Sequence, residues 1–154
     1  MNLILNILLI AGAFSFMEFV AWATHKYVMH GFLWKLHKDH HKKESAGIIE
    51  KNDSFFLIFA SPGILLLWIG AAGIYKPALC IGLGITLYGF TYFLIHDVFI
   101  HQRLKIFKKT NNMYLAAIKR AHKIHHKHLQ KENGECFGML LVPLKYFKEF
   151  KKIS

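Results

Sequence analysis

The sequence predicts an all-α integral membrane protein, in which about three transmembrane helices support cytosolic helices that carry histidines. Three apolar runs, residues 3–23, 55–75 and 77–95, are each about long enough to cross a hydrocarbon core of roughly 30 Å at 1.5 Å per residue. Ten of the 11 histidines fall in four short boxes close to these runs. We expect the 154 residues to form one membrane domain, 1–154.

The basic residues orient the predicted spans. Nineteen of the 20 lysines and arginines lie in residues 24–54 or after residue 96, and only Lys76 lies on the other side. Basic loops stay on the cytosolic side of a membrane. The pattern therefore predicts a multi-pass protein of the cytoplasmic membrane, with segments 24–52 and 96–131 in the cytosol. It also accounts for the net charge of +11 without nucleic acid, for which no binding motif is present.

The first run, residues 3–23, is predicted to be a retained transmembrane helix. Ala21-Trp22-Ala23 resembles a signal-peptide cleavage site, but the run has no preceding basic segment and is longer than a typical signal-peptide core. Glu18 lies inside this helix, seven residues before His25 and on nearly the same face. It is a candidate acceptor for a ligand histidine or for another polar group at a cavity floor; the alternative is a carboxyl near the interface.

The second and third runs are predicted to form an antiparallel helical hairpin, because only Tyr75-Lys76-Pro77 connects them. Asn52-Asp53-Ser54 is a helix-start signal with Asp53 or Ser54 as the N-cap. Glycines in the third run allow either close helix packing or room for an elongated apolar ligand. These glycines are Gly82, Gly84 and Gly89.

The remaining chain is predicted to lie at or beyond the membrane surface. Residues 113–131 should form a helix that ends at Asn133-Gly134. Residues 136–152 mix aromatic and aliphatic side chains with lysines, which is typical of a segment on the membrane surface.

The four histidine boxes repeat two spacings. Box 1 is His25 and His30, box 2 is His37, His40 and His41, box 3 is His96 and His101, and box 4 is His122, His125 and His126. On a helix, positions i, i+3 and i+4 share one face, so boxes 2 and 4 could each aim three imidazoles at one point.

The two-histidine boxes impose a different geometry. Positions i and i+5 lie about 140° apart on an α-helix, so boxes 1 and 3 need an irregular helix or a metal between the two directions. Ten imidazoles are too many for one ion, and the pattern favours two first-row metals. Asp97 could accept a hydrogen bond from His96, or be a boundary charge. His128 fits no box and is expected to be a solvated or supporting residue.

The boxes and their flanking residues resemble the bacterial β-carotene hydroxylases, in the fatty acid hydroxylase superfamily of membrane non-haem di-iron enzymes. The resemblance covers residues 14–140. It rests on Thr24-His-Lys-Tyr-Val-Met-His-Gly31, His37-x-x-His-His41 followed by Asn52-Asp53, His96-Asp-Val-Phe-Ile-His-Gln-Arg103 and Ala121-His-Lys-Ile-His-His126. Two loops depart from the family pattern. Shortly after box 2, where the family tends to have a proline, this chain has Lys42-Lys43. After His-Gln-Arg, where the family tends to have Trp-Pro, it has Leu104-Lys105.

The resemblance implies O₂-dependent hydroxylation of the β-ionone rings of β-carotene at carbon 3, through β-cryptoxanthin to zeaxanthin. It implies two iron ions held by the ten box histidines, with zinc as a purification substitute, and no catalytic residue separate from the metal centre. The substrate would come from the lipid phase. The sequence has no nucleotide, flavin or iron–sulfur motif, so a ferredoxin-like or other donor with its reductase would supply electrons.

The sequence is also compatible with other functions. Within the superfamily, a fatty acid or sterol hydroxylase or desaturase, or a carotenoid ketolase, is the alternative. A membrane metal transporter or sensor is the alternative outside it, although transporter ligands should lie near the membrane midplane rather than at span ends. A zinc protease would need His-Glu-x-x-His, which is absent.

Overall fold

A computed structural model describes residues 2–42, 49–106, 110–129, 132 and 134–148. Every regular element among these residues is helical, which confirms the predicted all-α class. The α-helices are α1 (Leu3–Ala23), α2 (Trp34–His41), α3 (Ser54–Ala71), α4 (Lys76–Tyr92), α5 (Met113–His125) and α6 (Lys145–Lys148).

Three continuous helical stretches in the described part of the chain are long and apolar enough to cross a membrane, as predicted. They are Leu3–Phe32, Lys51–Ala71 and Lys76–Ile100. Large apolar side chains on their outer faces, such as Leu8, Phe19 and Trp68, are exposed. Such a surface is unfavourable in water and suits contact with lipid, so the protein is membrane-associated.

Helix α4 packs against both α1 and α3 and forms the centre of the bundle. The packing is close because two glycines of α4 face neighbouring backbones. A Cβ atom on Gly84 would lie 2.5 Å from the carbonyl oxygen of Ile10, and one on Gly82 would lie 2.8 Å from the amide nitrogen of Leu67. The predicted close-packing role therefore holds at these two positions. Gly89 differs, since a Cβ atom there would meet nothing within 4 Å.

Two of the three spans change from α-helix to π-helix where they reach the histidine boxes. Helix α1 continues into the π-helix Thr24–Phe32, and α4 continues into the π-helix Phe93–Ile100. Hydrogen bonds then join residues five apart, as from the His101 amide to the His96 carbonyl at 2.9 Å. Residues at i and i+5 come onto one face, which confirms the irregular helix expected from the spacing of boxes 1 and 3.

The turns on either side of box 2 place it beside the spans. Gly31 has non-helical backbone angles (φ −112°, ψ −124°) and redirects the chain into α2. Before α3, residues Lys51–Asp53 form a 3₁₀ turn. Helix α3 begins where predicted, with Asp53 at the N-cap position. Its carboxylate makes no capping hydrogen bond to α3 and accepts from the Glu50 amide at 3.0 Å.

The helix predicted over residues 113–131 ends at His125, six residues early. A tight turn follows, in which the His128 amide donates to the His125 carbonyl at 3.0 Å. This turn frees later carbonyls for other partners. Asn133, part of the predicted stop signal, lies outside the described residues.

The segment after α5 has two parts. Residues 134–141, called the C-terminal strap below, return to the bundle and bury Phe137 and Met139. The position of residues 136–152 on a membrane surface stays a prediction, and residues 149–152 lie outside the described part.

Candidate metal centre

All ten box histidines come together at one end of the three spans. Seven are buried and three are half-buried, whereas His128 is exposed and outside the cluster. The first group consists of His25, His30, His37, His41 and His125, and one ring nitrogen from each lies within 4.8 Å of the others. The second group contains His40, His101, His122 and His126 on the same criterion, together with His96, whose Nε2 lies 3.0 Å from that of His40.

The structure divides each three-histidine box between the two groups. His37 and His41 of box 2 belong to the first group, but His40 belongs to the second. In box 4, His125 belongs to the first group, and His122 and His126 to the second. The expectation that each box aims at one point is wrong, because consecutive positions such as His40 and His41 point about 100° apart on a helix. Helices α2 and α5 therefore each contribute to both groups.

Hydrogen bonds at Nδ1 fix the tautomers of several rings. Backbone carbonyls only accept hydrogen bonds, so a nitrogen facing one must carry the proton. Such contacts join His25 to Phe137 at 2.9 Å, His30 to Leu129 at 3.0 Å and His125 to Glu135 at 3.0 Å. Side-chain oxygens do the same for His37 (Asn52 Oδ1, 2.6 Å) and His40 (Glu50 Oε2, 3.0 Å).

A proton on Nδ1 leaves a lone pair on Nε2, and these lone pairs converge. Nε2 of His25 lies 3.0 Å from that of His37, and Nε2 of His30 lies 3.2 Å from that of His125. Two acceptors at this distance repel each other unless a cation lies between them. Imidazole nitrogens suit iron, zinc and copper. Each group therefore fits one first-row metal ion.

Burial keeps the imidazoles in the form that binds metal. Removal from water lowers the pKa of His37 and of His125 from 6.5 to about 3, and that of His126 to about 4. Burial also lowers the pKa of His40 and of His122, and repulsion from neighbouring imidazoles adds to the shift. These rings are neutral at pH 7, as metal coordination requires.

An arginine connects the carboxylates around the second group. Arg103 donates to Glu50 and to Asp53, each at 2.8 Å, and its Nε lies 3.1 Å from Asp97. The same Glu50 oxygen accepts from His40, so a charged network holds this imidazole. Asp97 Oδ2 lies 3.5 Å from His96 Nδ1, adjacent but without a hydrogen bond in the described structure. Its role as acceptor for His96 stays a prediction.

Glu18 lies beside polar groups other than histidine. Its carboxyl group accepts hydrogen bonds from the Tyr88 hydroxyl and from three backbone amides of the C-terminal strap. Its hydrogen bonds within the described structure reach no histidine; His25 turns its Nδ1 to the Phe137 carbonyl instead.

A cavity of about 780 Å³ lies between α1, α3 and α4 and leads to both histidine groups. Its walls in the membrane-spanning part are apolar, with Met17, Phe59 and Ile85 among them. At the other end it reaches His25 of the first group and His96 of the second. The arrangement can hold a long apolar molecule with one end beside the metal-binding nitrogens.

Comparison with known proteins identifies the family. The family model described as fatty acid hydroxylase matches residues 10–144, most of the chain. The chain belongs to the fatty acid hydroxylase family. No solved structure matches it.

Several curated relatives of this chain are named as beta-carotene hydroxylases. This chain is 37% identical over 138 residues to "Beta-carotene hydroxylase" of Pseudescherichia vulneris, and the match covers 90% of this chain and 77% of that protein. It is 39% identical to the Pantoea ananas protein of the same name, covering 82% and 71% of the two chains. "Beta-carotene 3-hydroxylase 1, chloroplastic" of Arabidopsis thaliana is 38% identical, covering 93% of this chain and 45% of its own length. The chain is therefore an enzyme, an oxidoreductase.

Several groups that hold the histidines of this hydroxylase were not predicted from the sequence. Glu50, Asn52 and Arg103 are polar residues beside a predicted span on the side that carries the boxes, a signal that could have marked Glu50 and Asn52 as partners of box 2. The carbonyls of Leu129, Glu135 and Phe137 leave no such signal, since every residue has one.

Proposed function

We propose that this enzyme hydroxylates the β-ionone rings of β-carotene at carbon 3, giving β-cryptoxanthin and then zeaxanthin, with O₂ and two iron ions. The observation that carries the proposal is the pair of five-histidine groups at the end of an apolar cavity. The names of the relatives supply the substrate class and the position of attack.

The proposed metal ligands are the two groups as they stand. The first ion would be held by His25, His30, His37, His41 and His125, and the second by His40, His96, His101, His122 and His126. Iron at these positions supplies the redox chemistry needed to reduce O₂ and oxidise an unactivated C–H bond, which no side chain can supply. The chain itself orients the imidazoles, through the Nδ1 contacts to carbonyls, Asn52 and Glu50.

The cavity would bind one ring of the carotene beside the histidines while the polyene stays in lipid. Its apolar walls in the membrane-spanning part suit a hydrocarbon chain. Gly89 lines this cavity, and a Cβ atom there would meet nothing within 4 Å, so it leaves room for the substrate.

Orientation and electron supply belong to the same proposal. The basic residues favour the cytoplasmic membrane with the histidines on the cytosolic side. A soluble donor, ferredoxin-like or other, with its reductase would deliver two electrons per turnover there, where the lysines can attract an acidic partner.

Expression of the chain in a bacterium that accumulates β-carotene tests the reaction. We expect extracted pigments to contain β-cryptoxanthin and zeaxanthin. Ring ketones instead would favour a ketolase, and unchanged β-carotene beside a working electron donor would refute the proposal.

A substitution in the cavity tests where the substrate lies. Gly89→Leu should lower zeaxanthin formation about tenfold or more, since the leucine side chain would take up space that the bound substrate needs, and such overfilling costs about 1–3 kcal/mol. Iron content should not change. Gly12→Leu is the matched control, because Gly12 is an exposed glycine of α1 with nothing within 4 Å of its Cβ position. Equal activity of the two variants would place the substrate elsewhere.

A further inference from the structure

Glu18 is a buried carboxyl group inside a membrane-spanning helix, with a side chain that accepts four hydrogen bonds. Its Oε2 accepts from the Tyr88 hydroxyl at 2.7 Å. Its Oε1 accepts from three consecutive backbone amides, those of Met139 (2.9 Å), Leu140 (2.8 Å) and Leu141 (3.0 Å). A carboxyl group within a span is costly unless it is paired, so these donors account for its presence.

The contact between Glu18 and the C-terminal strap requires a close approach at Gly138. A Cβ atom on Gly138 would lie 2.7 Å from Glu18 Oε1, closer than a real Cβ contact allows. The oxygen is held by three amides, so it cannot move away without losing them. Glycine at 138 and the carboxyl group at 18 therefore form one matched contact.

The strap that Glu18 holds supports the first histidine group. The Phe137 carbonyl accepts from His25 Nδ1 at 2.9 Å, and the Glu135 carbonyl accepts from His125 Nδ1 at 3.0 Å. The Phe137 ring also packs against His30, with ring centres 5.2 Å apart. Every histidine in these contacts belongs to the first group.

We infer that Glu18 is a positioning residue for the first metal ion, acting through the C-terminal strap without touching a ligand. The carboxyl group fixes residues 139–141, which fixes the two carbonyls that orient His25 and His125. The second group has a different partner, Glu50, which accepts from His40 and is itself bound by Arg103, so we expect it to depend less on this contact. The inference rests on the proposed two-ion centre.

The test is an anaerobic Fe²⁺ titration of the purified, metal-free full chain in detergent. Gly138→Ala should weaken one of two Fe²⁺ sites about 10–100-fold, the usual effect of losing a ligand's hydrogen-bond partner, and leave the other unchanged. Gly12→Ala, a glycine with nothing within 4 Å of its Cβ position, is the control and should match the wild type. Glu18→Leu should reproduce the loss, and Glu18→Gln, which keeps an oxygen for the amides, should restore most of the binding.

Double variants identify the affected ion. In a His125→Ala background, where the first site is already lost, Gly138→Ala should cause no further loss. In a His122→Ala background it should remove most of the remaining binding. The inference is overturned if Gly138→Ala behaves like Gly12→Ala, or if both sites weaken equally.

These outcomes are separate from the test of the reaction. A wild-type chain that binds two Fe²⁺ ions and leaves β-carotene unchanged would refute the proposed reaction but not the role of Glu18. A wild-type chain that binds fewer than two would refute both.

Discussion

The two histidine groups each contain five imidazoles, but the hydrogen-bond partners that hold these rings differ between the groups. In the first group, the Nδ1 partners are neutral oxygens: three backbone carbonyls and the Asn52 amide. In the second group, a carboxylate, Glu50, accepts from His40, and Asp97 lies 3.5 Å from His96. Arg103 binds both carboxylates.

Two groups built from the same type of donor can therefore differ in affinity for a metal ion. A carboxylate partner makes an imidazole a stronger donor than a neutral oxygen does, so we expect the second group to bind its ion more tightly. The first group depends instead on the path of the backbone after α5. Its geometry therefore responds to substitutions in the C-terminal strap, whereas that of the second responds to charge.

Removal of one histidine from each group should have the largest effect. His40→Ala and His125→Ala should each abolish zeaxanthin formation and lower iron content from two ions to one, because each removes a proposed ligand of a different ion. Membrane insertion should be unchanged. His128→Ala, at an exposed position outside both groups, is the control for activity. Full activity of either variant would remove that residue from the ligand set.

Exchange of the Nδ1 partners should have an intermediate effect. Glu50→Gln should weaken Fe²⁺ binding at the second site about 10–100-fold, and Asn52→Asp should strengthen it at the first, as measured by titration. Asp53→Asn is the control for Glu50→Gln, since Asp53 also binds Arg103 at 2.8 Å but, within the described structure, makes no hydrogen bond to a histidine. If the affinities of the two sites did not respond in opposite directions, the proposed difference between the groups would be wrong.

Acid should lower the free energy of unfolding of the metal-free chain. The contribution of each buried histidine should be smaller than the effects of the substitutions above. The unfolded chain binds protons on these rings below about pH 6.5, but folded His37 and His125 have a pKa of about 3. The free energy of unfolding is therefore fully present above pH 7 and falls as the pH decreases toward 4, by about 1.4 kcal/mol per pH unit for each such ring.

Thermal unfolding in detergent at pH 8, 6 and 5 measures this effect. His126→Gln should make the pH dependence of stability shallower by the contribution of one histidine, since burial holds the pKa of His126 at about 4. A midpoint that does not change between pH 8 and 5 would contradict the burial of neutral rings.

The sequence predicted which histidines meet but not how they divide. The apolar runs and four boxes were sufficient for the all-α bundle, the three spans and the irregular helix at His25 and His30. The division of box 2 was missed, because spacing on one helix cannot report that His40 faces His96 from a distant helix. Glu18 was recognised as significant, but its partners are backbone amides 121 to 123 residues away, which no side-chain pattern identifies.

The π-helical ends of two spans restrict changes in chain length at the site. Each such turn accommodates one residue more than an α-helical turn, and this extra residue is what brings His25 and His30 onto the same face. Inserting an amino acid between Lys26 and Met29 would rotate His30 by about 100° relative to His25 in a helix and direct it away from the other histidines of its group. Insertions and deletions should therefore be tolerated far better in the polar linkers between helices than in the two π-helical segments.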